Sequence, residues 1–336
     1  MTDHVRSRLW FARVAVWSAL SIAVLAFGIA FVRADGFPSR PVRIIVPLNP
    51  GAGVDIVARM VANGLSEQTG KSVVVENRSG GATLVGAEVV AQSEPDGHTL
   101  LFTPDDTFTI LPHLSKSLAF DPNKELIPIT GIAKIINIMF VNSTIPVKTL
   151  PELIDYARAH PGALSYGTNG QGSAAQLALE TLKSRTKIDI VHVPYKGNAP
   201  ALLATVSGEV QLIMIGYGSA GGFIQDGKLR PIVVTGSQRE SNLPDLPTTA
   251  ELGYPDVDVT TWLTIAAPAK TPANVVKQVN DAFMRVIKNP DMRKQIEDRN
   301  LVPTGISSEE NTQAIVHRYK VNGEAAVRVF GARLEE

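Results

Sequence analysis

Short runs of β-branched residues alternate with amphipathic stretches along most of the chain, and this alternation limits the possible folds more than any other feature. The amphipathic stretches repeat apolar residues at helical spacing and are often preceded by glycine-rich turns. The runs predict strands at 42–47, 72–76, 99–103, 135–141, 164–168, 188–194, 210–215, 230–235 and 260–266. Strand, turn and helix in repeated order predict a parallel α/β fold.

Capping boxes mark two of the helix starts. Thr149 stands three residues before Glu152, and Ser173 stands three residues before Gln176. In such a box the hydroxyl accepts a backbone N–H of the first turn, while the longer side chain returns toward the residue before the helix. We therefore predict helices that begin directly after Thr149 and after Ser173.

Two apolar segments divide the chain into lobes. IINIMFV lies near residue 138 and TTWLTIAAP near residue 260, with a self-contained αβ series between them. We predict one lobe of residues 35–138 and 258–336 and a second lobe of residues 139–257 inserted into it. A chain that crosses twice between lobes leaves a cleft, and ligands of open α/β sheets bind beyond the carboxyl ends of the strands.

The first 34 residues have the layout of a secretory signal peptide. Arg6, Arg8 and Arg13 precede an uncharged segment from Val14 to Val32, and the small residue Ala34 follows. We predict cleavage after Ala34 and export of the mature chain. The alternative is a retained membrane anchor, because the uncharged segment is close to the roughly 20 residues that span a bilayer.

Charge balance and cysteine content exclude several classes of protein. Lys plus Arg equals Asp plus Glu at 32 each, and residues 1–34 hold four arginines and one aspartate, so the mature chain has 28 positive and 31 negative residues, a net charge of −3. This balance does not provide the long basic face that nucleic-acid binding requires. The chain has no cysteine, which excludes disulfides and thiol chemistry.

Two glycine-rich loops stand between a predicted strand and a predicted helix. PLNPGAGVD runs from Pro47 to Asp55, and YGTNGQGSAAQ runs from Tyr166 to Gln176. The first N–H groups of a helix are unpaired and lie at the positive end of its dipole, so each loop suits an anion. Neither loop contains lysine or arginine, and the first lacks the Lys-Ser or Lys-Thr of a phosphate-binding loop. We therefore predict a carboxylate held between both loops by backbone N–H groups, hydroxyls and water.

Groups suited to catalysis are scarce in the sequence. The six histidines are isolated from one another, and no serine lies in a G-x-S-x-G motif. Asp105 and Asp106 follow a predicted strand as a carboxylate pair, but adjacent loop residues usually point apart, and we expect capping or solvation of both. We predict a binding protein without enzymatic activity, cofactor or metal.

Seven segments, two of which contain the glycine-rich loops, occur in order over nearly all of the mature chain. They are PVRIIVPLNPGAGVDIVAR (41–59), ENRSGGATLVGAEVVAQSEPDGHTLLF (76–102), YGTNGQGSAAQLALE (166–180), VHVPYKGNAPAL (191–202), GKLRPIVVTGSQR (227–239), LPDLPTTAELGYP (243–255) and APAKTP (267–272). In these segments the sequence resembles the periplasmic solute-binding receptors of tripartite tricarboxylate transporters, often called the Bug family. It departs from the family at Gln176, where a histidine is common, although Gln176 still completes its capping box.

The resemblance implies a two-lobed α/β fold of the periplasmic-binding-protein type II kind. Such a protein closes on a small carboxylate, which is a dicarboxylate, a tricarboxylate or an aromatic acid, and delivers it to membrane permease subunits. We expect the receptor itself to be a monomer. The residues expected to bind the ligand are Asn49, Gly51, Ala52, Gly53, Val54 and Asp55 in the first loop and Thr168, Asn169, Gly172, Ser173 and Ala174 in the second, with Asp105, Tyr195 and Tyr217 nearer the other end of the ligand.

Two other functions stay open at the level of sequence. A sensory protein whose closed form is read by a membrane partner has the same sequence features as a transport receptor. An exported α/β hydrolase is disfavoured, because the chain has no nucleophile elbow, thiol or set of metal ligands.

Overall fold

A computed structural model of the chain describes residues 37–51, 53–114 and 120–330. The predicted signal peptide and Ala52 lie outside the described residues. The strands are β1 (Val42–Val46), β2 (Val73–Asn77), β3 (Thr99–Pro104), β4 (Leu126–Ile135), β5 (Asn137–Asn142), β6 (Leu164–Thr168), β7 (Ile190–Pro194), β8 (Leu212–Gly216), β9 (Leu229–Val234), β10 (Thr261–Pro268) and β11 (Val302–Ile306).

The helices follow the strands in the order that the sequence pattern indicates. They are α1 (Gly53–Thr69), α2 (Leu84–Ala91), α3 (Asp106–Thr109), α4 (Leu111–Leu114), α5 (Pro122–Glu125), α6 (Leu150–Ala159), α7 (Ala174–Thr186), α8 (Asn198–Ser207), α9 (Tyr217–Gln225), α10 (Ala273–Lys288), α11 (Pro290–Glu297) and α12 (Ser308–Phe330). As the capping boxes predict, α6 begins after Thr149 and α7 begins after Ser173, and each hydroxyl accepts an N–H of the first turn.

The strands form two separate sheets. The first has the order β11-β4-β10-β3-β1-β2, and the second has the order β7-β6-β8-β5-β9. In the first sheet β2, β1 and β3 are parallel, whereas β10 is antiparallel to β3 and β4. In the second sheet β7, β6 and β8 are parallel and β5 is antiparallel to its neighbours β8 and β9. The parallel strands are therefore those joined through helices, and the fold as a whole is mixed α/β.

The chain passes from one sheet to the other twice. Only Ile136 separates β4 of the first sheet from β5 of the second, and residues 235–260 lead from β9 back to β10. We propose that these crossings form the hinge between two lobes, with the boundaries that the sequence predicts.

All nine predicted strands are found, with ends that differ by two residues or fewer. The sequence pattern does not predict β4 and β11, and both contain a proline and a glycine, which argue against a strand in a single sequence. β4 nevertheless pairs with β10 along eight residues, and a register shift between Ile265 and Ala266 lies beside Pro128. An irregular ladder of this kind can accommodate a residue that lacks an N–H.

Helix α12 joins the two halves of the molecule. Its N-terminal part contacts β4, and its later residues Ala325 and Ala326 belong to the apolar core of the second sheet. Ile110, which follows β3 in the first half, is buried in the same core. The carboxyl end of β3 and the start of α7 are thereby held close together, which is where the candidate site lies.

Candidate ligand-binding site

The first glycine-rich loop is organised by the carboxylate of Asp55. Asp55 lies in the first turn of α1 with 2% of its surface exposed, and its Oδ2 accepts the N–H of Gly51 at 2.9 Å and Nε of Arg59 at 3.0 Å. Its Oδ1 accepts Nδ2 of Asn77 at 2.9 Å. Burial opposes ionisation of Asp55, but the hydrogen bonds from Arg59, Gly51 and Asn77 outweigh it and hold its pKa below the usual value. Asp55 therefore fixes the loop as an ionised acceptor.

The second glycine-rich loop is organised in the same way by Gln176. The N–H of Gly172 donates to Oε1 of Gln176 at 2.7 Å, and Oγ of Ser173 accepts the N–H of Gln176 at 3.3 Å. Gly172 has φ +78° and Gly51 has φ +80°, so both loops turn at a left-handed residue that favours glycine. In each loop the side chain of the residue four positions after this glycine accepts the hydrogen bond from its N–H.

These internal bonds decide which N–H groups are left for a ligand. The N–H groups of Gly51 and Gly172, both predicted donors, are already bonded within their loops. Within the described parts of the chain, no group accepts a hydrogen bond from the N–H of Gly53, Val54 or Ser173. These three donors lie at the positive ends of α1 and α7, where an anion is favoured.

The side chain of Thr168 is held in place by contacts with the second loop and with His192. Its hydroxyl donates to the carbonyl oxygen of Gly170 at 2.9 Å and lies 2.8 Å from Nε2 of His192. Burial lowers the pKa of His192, which favours its neutral form. Thr168 is itself buried, so the structure gives it a part in shaping the loop, whereas Asn169 is exposed at the loop surface.

Asp105 is occupied by contacts within the protein. Its side chain is fully buried, Oδ2 accepts Nε of Arg318 at 2.7 Å, and Oδ1 accepts the N–H of Trp262 at 2.8 Å. Arg318 also donates to the carbonyl oxygen of Thr260 at 2.6 Å. Asp105 thus joins β3, β10 and α12 and is neither solvated nor a cap, in contrast to the expectation from sequence. The ligand contact predicted for it would compete with these two bonds.

Asp106 has a different environment from its neighbour. Its Oδ1 is buried and has no hydrogen-bond partner among the described residues. Burial, together with the negative charge of Asp105, raises the pKa of Asp106 to about 7. Asp106 is therefore a largely buried acid with one unpaired oxygen beside a fully paired acid, a difference for which the sequence gives no signal.

The two tyrosines predicted to face the ligand differ in their availability. The hydroxyl of Tyr195 donates to Oε1 of Glu209 at 2.8 Å, and burial and this bond raise its pKa to about 12. Tyr217 begins α9, directly after β8, and its hydroxyl makes no hydrogen bond within the described part of the molecule. Because β8 is parallel to β6, Tyr217 and the second loop lie at the same edge of the sheet.

The first loop presents Asn49, Gly51 and Gly53 at the surface, whereas Val54 and Asp55 are buried. In the second loop Gly172, Ser173 and Ala174 are buried. The predicted contact at Ala52 lies outside the described residues. The sequence spacing of Asp55 and Arg59 fits an i, i+4 pair, but no sequence signal indicates that Asn77 completes this cluster.

Among the residues that the structure describes, no group of three or more His, Cys, Asp or Glu side chains is placed to hold a metal ion. In that same part of the chain no helix has both the length and the apolar character needed to cross a membrane.

Two sheets joined by two chain crossings are the architecture of a two-lobed periplasmic binding protein. Residues 57–327 match the model of the tripartite tricarboxylate transporter family receptor. A UPF0065 protein of Bordetella pertussis is 33% identical over 291 residues, which are 87% of this chain and 90% of that protein. Two solved structures each match 89% of this chain and 100% of their own: a periplasmic transporter, 35% identical with a TM-score of 0.81, and R. palustris Rpa4515 with adipate, 30% identical with a TM-score of 0.82.

The chain belongs to the tripartite tricarboxylate transporter family receptors, and its relatives include Bug proteins. The predicted family and the predicted two-lobed α/β fold are confirmed. Members of this family are periplasmic solute-binding receptors and are not enzymes.

Proposed function

We propose that this receptor captures a small carboxylate in the cleft between its lobes and delivers it to the permease subunits of a tripartite tricarboxylate transporter. The proposal is supported by the N–H groups of Gly53, Val54 and Ser173 at the starts of α1 and α7, which have no acceptor among the residues that the structure describes. Backbone donors at helix N-termini suit a carboxylate, and the related R. palustris Rpa4515 is solved with adipate.

The strength of such a site is consistent with a transport receptor. Each charge-assisted hydrogen bond contributes roughly 1.5–3 kcal/mol, so three of them give about 5–9 kcal/mol. Micromolar affinity needs about 8 kcal/mol. Neither loop reaches this value alone, so we propose that the ligand is held only when both loops close on it. We further propose that the chain acts in the periplasm as a monomer after loss of its first 34 residues.

A ligand screen with one designed variant tests the proposal. The wild-type protein should be stabilised against heat by at least one acid in a panel of dicarboxylates, tricarboxylates and aromatic acids, because a ligand that binds only the folded state raises its melting temperature. Gly53→Val should abolish this stabilisation, since a side chain at Gly53 meets no other atom within 4 Å and projects into open space beside the free donors.

Gly222→Val is the matched control. Gly222 is also helical, exposed and without neighbours within 4 Å of an added Cβ, but it lies in the second turn of α9. The control should keep the wild-type response. Equal ligand response in wild type and Gly53→Val would contradict the site, and no response of the wild type to any acid would contradict the function.

A further inference from the structure

The side chain of His192 connects strand β7 to the second glycine-rich loop. His192 is the register partner of Tyr166 on β6, and side chains alternate between the two faces of a strand, so Tyr166 and Thr168 lie on the same face. The imidazole of His192 stacks on the ring of Tyr166, with centroids 4.9 Å and planes 28° apart. Its Nε2 lies 2.8 Å from Oγ1 of Thr168, the last residue of β6. His192 therefore contacts the strand exactly where the loop begins.

The ring on which His192 stacks is itself fixed. Tyr166 is fully buried, and its hydroxyl donates to Oε1 of Glu180 at 2.6 Å. Nζ of Lys183 donates to the same oxygen at 2.8 Å. Glu180 and Lys183 belong to α7, the helix that follows the second loop. Tyr166 is thus bonded to this helix and holds the imidazole in one orientation, with Nε2 toward Thr168.

The hydrogen bonds of Thr168 assign a hydrogen to Nε2 of His192. A hydroxyl has one proton to donate and two lone pairs. Thr168 donates its proton to the carbonyl oxygen of Gly170 at 2.9 Å and accepts the N–H of Gly170 at 3.4 Å. Nε2 therefore donates to the remaining lone pair, and it carries a hydrogen in the neutral as well as in the charged imidazole. We call this chain of bonds, from Nε2–H through Thr168 to Gly170, the relay.

The relay holds one end of the second loop, and Gln176 holds the other. The N–H of Gly172 donates to Oε1 of Gln176 at 2.7 Å, and Ser173 follows directly. No group in the described part of the chain accepts the N–H of Ser173. Gly170 has φ +146° and Gly172 has φ +78°, so the backbone between the two ends has the freedom of glycine. If the relay is lost, this backbone can rotate and carry the N–H of Ser173 away from its direction.

We propose that His192 is a positioning residue of the binding site, which acts through Thr168 to set the direction of the N–H of Ser173 toward the ligand carboxylate. His192 itself makes no contact with the ligand in this proposal. The inference rests on the proposed function, because it takes Ser173 as a donor to the bound carboxylate.

Three substitutions test the relay by titration calorimetry. The probe is whichever of malate, adipate, citrate and benzoate binds the wild type most tightly. His192→Phe keeps a ring on Tyr166 but removes the donor, and Thr168→Val keeps the shape of the side chain but removes the hydroxyl. Each should bind the probe about three- to tenfold more weakly, which is the net contribution of one neutral hydrogen bond. His192→Gln carries an amide N–H at a similar distance from the backbone and should bind more tightly than His192→Phe.

The double variant His192→Phe/Thr168→Val distinguishes a relay from two independent contacts. Residues of one hydrogen-bond network are not additive. The double variant should therefore bind within about twofold of the weaker single variant, whereas independent contacts would multiply the two losses to about ten- to a hundredfold.

NMR of the ligand-free protein tests the same relay without a probe. Nε2 of His192 should carry the hydrogen in the neutral ring, and this N–H should exchange faster with water in Thr168→Val. The amide resonances of Gly172 and Ser173 should shift in His192→Phe.

His160→Phe is the matched control. His160 also stacks on a tyrosine, Tyr156, with centroids 4.3 Å apart, and its Nδ1 lies 2.9 Å from the carbonyl oxygen of that residue. It stands between α6 and the start of β6, at the opposite edge of the second sheet from the loop. The control should bind the probe as the wild type does.

The outcomes separate the two proposals. If no acid of the panel binds the wild type, the proposed function fails, and the role of His192 in binding fails with it. If an acid binds, three results refute the positioning role alone: wild-type affinity in His192→Phe, equal affinity in His192→Gln and His192→Phe, or multiplied losses in the double variant. If His192→Phe does not fold, as judged by circular dichroism, the decision passes to Thr168→Val and NMR, and wild-type affinity in Thr168→Val or a neutral ring with its hydrogen on Nδ1 overturns the proposal.

Discussion

Replacing Asp55 with asparagine should weaken both the fold of the first loop and ligand binding. Oδ2 of Asp55 accepts from Gly51 and Arg59, and Oδ1 accepts from Asn77. An asparagine has one acceptor oxygen, so its NH₂ group must face at least one of these donors. The amide of Asn77 is not free to adapt, because its Nδ2 also donates to the carbonyl oxygen of Leu48 and its Oδ1 accepts from Arg59.

The cost follows from the bonds that are lost. A hydrogen bond to a charged group contributes about 1.5–3 kcal/mol, and a donor left unpaired adds to the loss, but Arg59 is half exposed and its share is reduced by solvent. We therefore expect a loss of about 2–4 kcal/mol in the free energy of unfolding. With an unfolding entropy near 2.1 cal/mol/K per residue and about 300 residues, the melting temperature falls by roughly 3–6 °C.

Ligand affinity should fall as well, by at least tenfold, because the N–H groups of Gly53 and Val54 depend on this loop geometry. The stability difference should also depend on pH. The pKa of Asp55 is lowered in the folded state, so its contribution is present above the pKa of an unfolded aspartate and is lost as the pH falls through its folded value. The difference between wild type and variant therefore shrinks in acid.

Urea unfolding and calorimetric titration of the variant provide the measurements. Asp281→Asn is the matched control, because Asp281 also forms an i, i+4 pair, with Lys277, but on an exposed helix surface. Its loss should be less than about 0.5 kcal/mol. The reasoning is refuted if Asp55→Asn retains wild-type stability and affinity, or if it costs no more than Asp281→Asn.

Three further changes test the environment of the site. Arg318→Met leaves the buried charge of Asp105 without its partner and should cost about 3–5 kcal/mol in urea unfolding, and a loss below 1 kcal/mol would contradict this account. Burial and Asp105 raise the pKa of Asp106 from 3.8 to about 7, so the folded state holds a proton that the unfolded state loses between these two values. Relative to Asp106→Asn, the unfolding free energy of the wild type should therefore fall by up to about 4 kcal/mol as the pH rises from 4 to 7. Parallel pH profiles of the two proteins would refute this account. Tyr166→Phe removes the 2.6 Å bond from the hydroxyl to Oε1 of Glu180 and should cost about 1–2 kcal/mol, whereas a neutral result would show that this bond contributes nothing net.

Local patterns in the sequence predict those parts of the fold that depend on neighbouring residues. The strands β1 and β7 and the helix start at Ser173 follow from β-branched runs and a capping box, since these act within a few residues. β4 escapes prediction because Pro128 and Gly131 disturb its local pattern, and its strand conformation comes from pairing with β10. Pairing between residues more than 100 positions apart leaves no trace in a local pattern.

The sequence by itself determined the family, the two glycine-rich loops and the absence of basic residues from them, because these are properties of residue type and order. Only the tertiary structure decided which groups in those loops remain free. Asp55 and Gln176 each accept the N–H of one predicted donor, and Asp105 pairs with Arg318, whereas Oδ1 of Asp106 is buried without a partner among the described residues. Adjacent residues of the same type have different environments because the partner of one of them, Arg318, comes from a distant part of the chain.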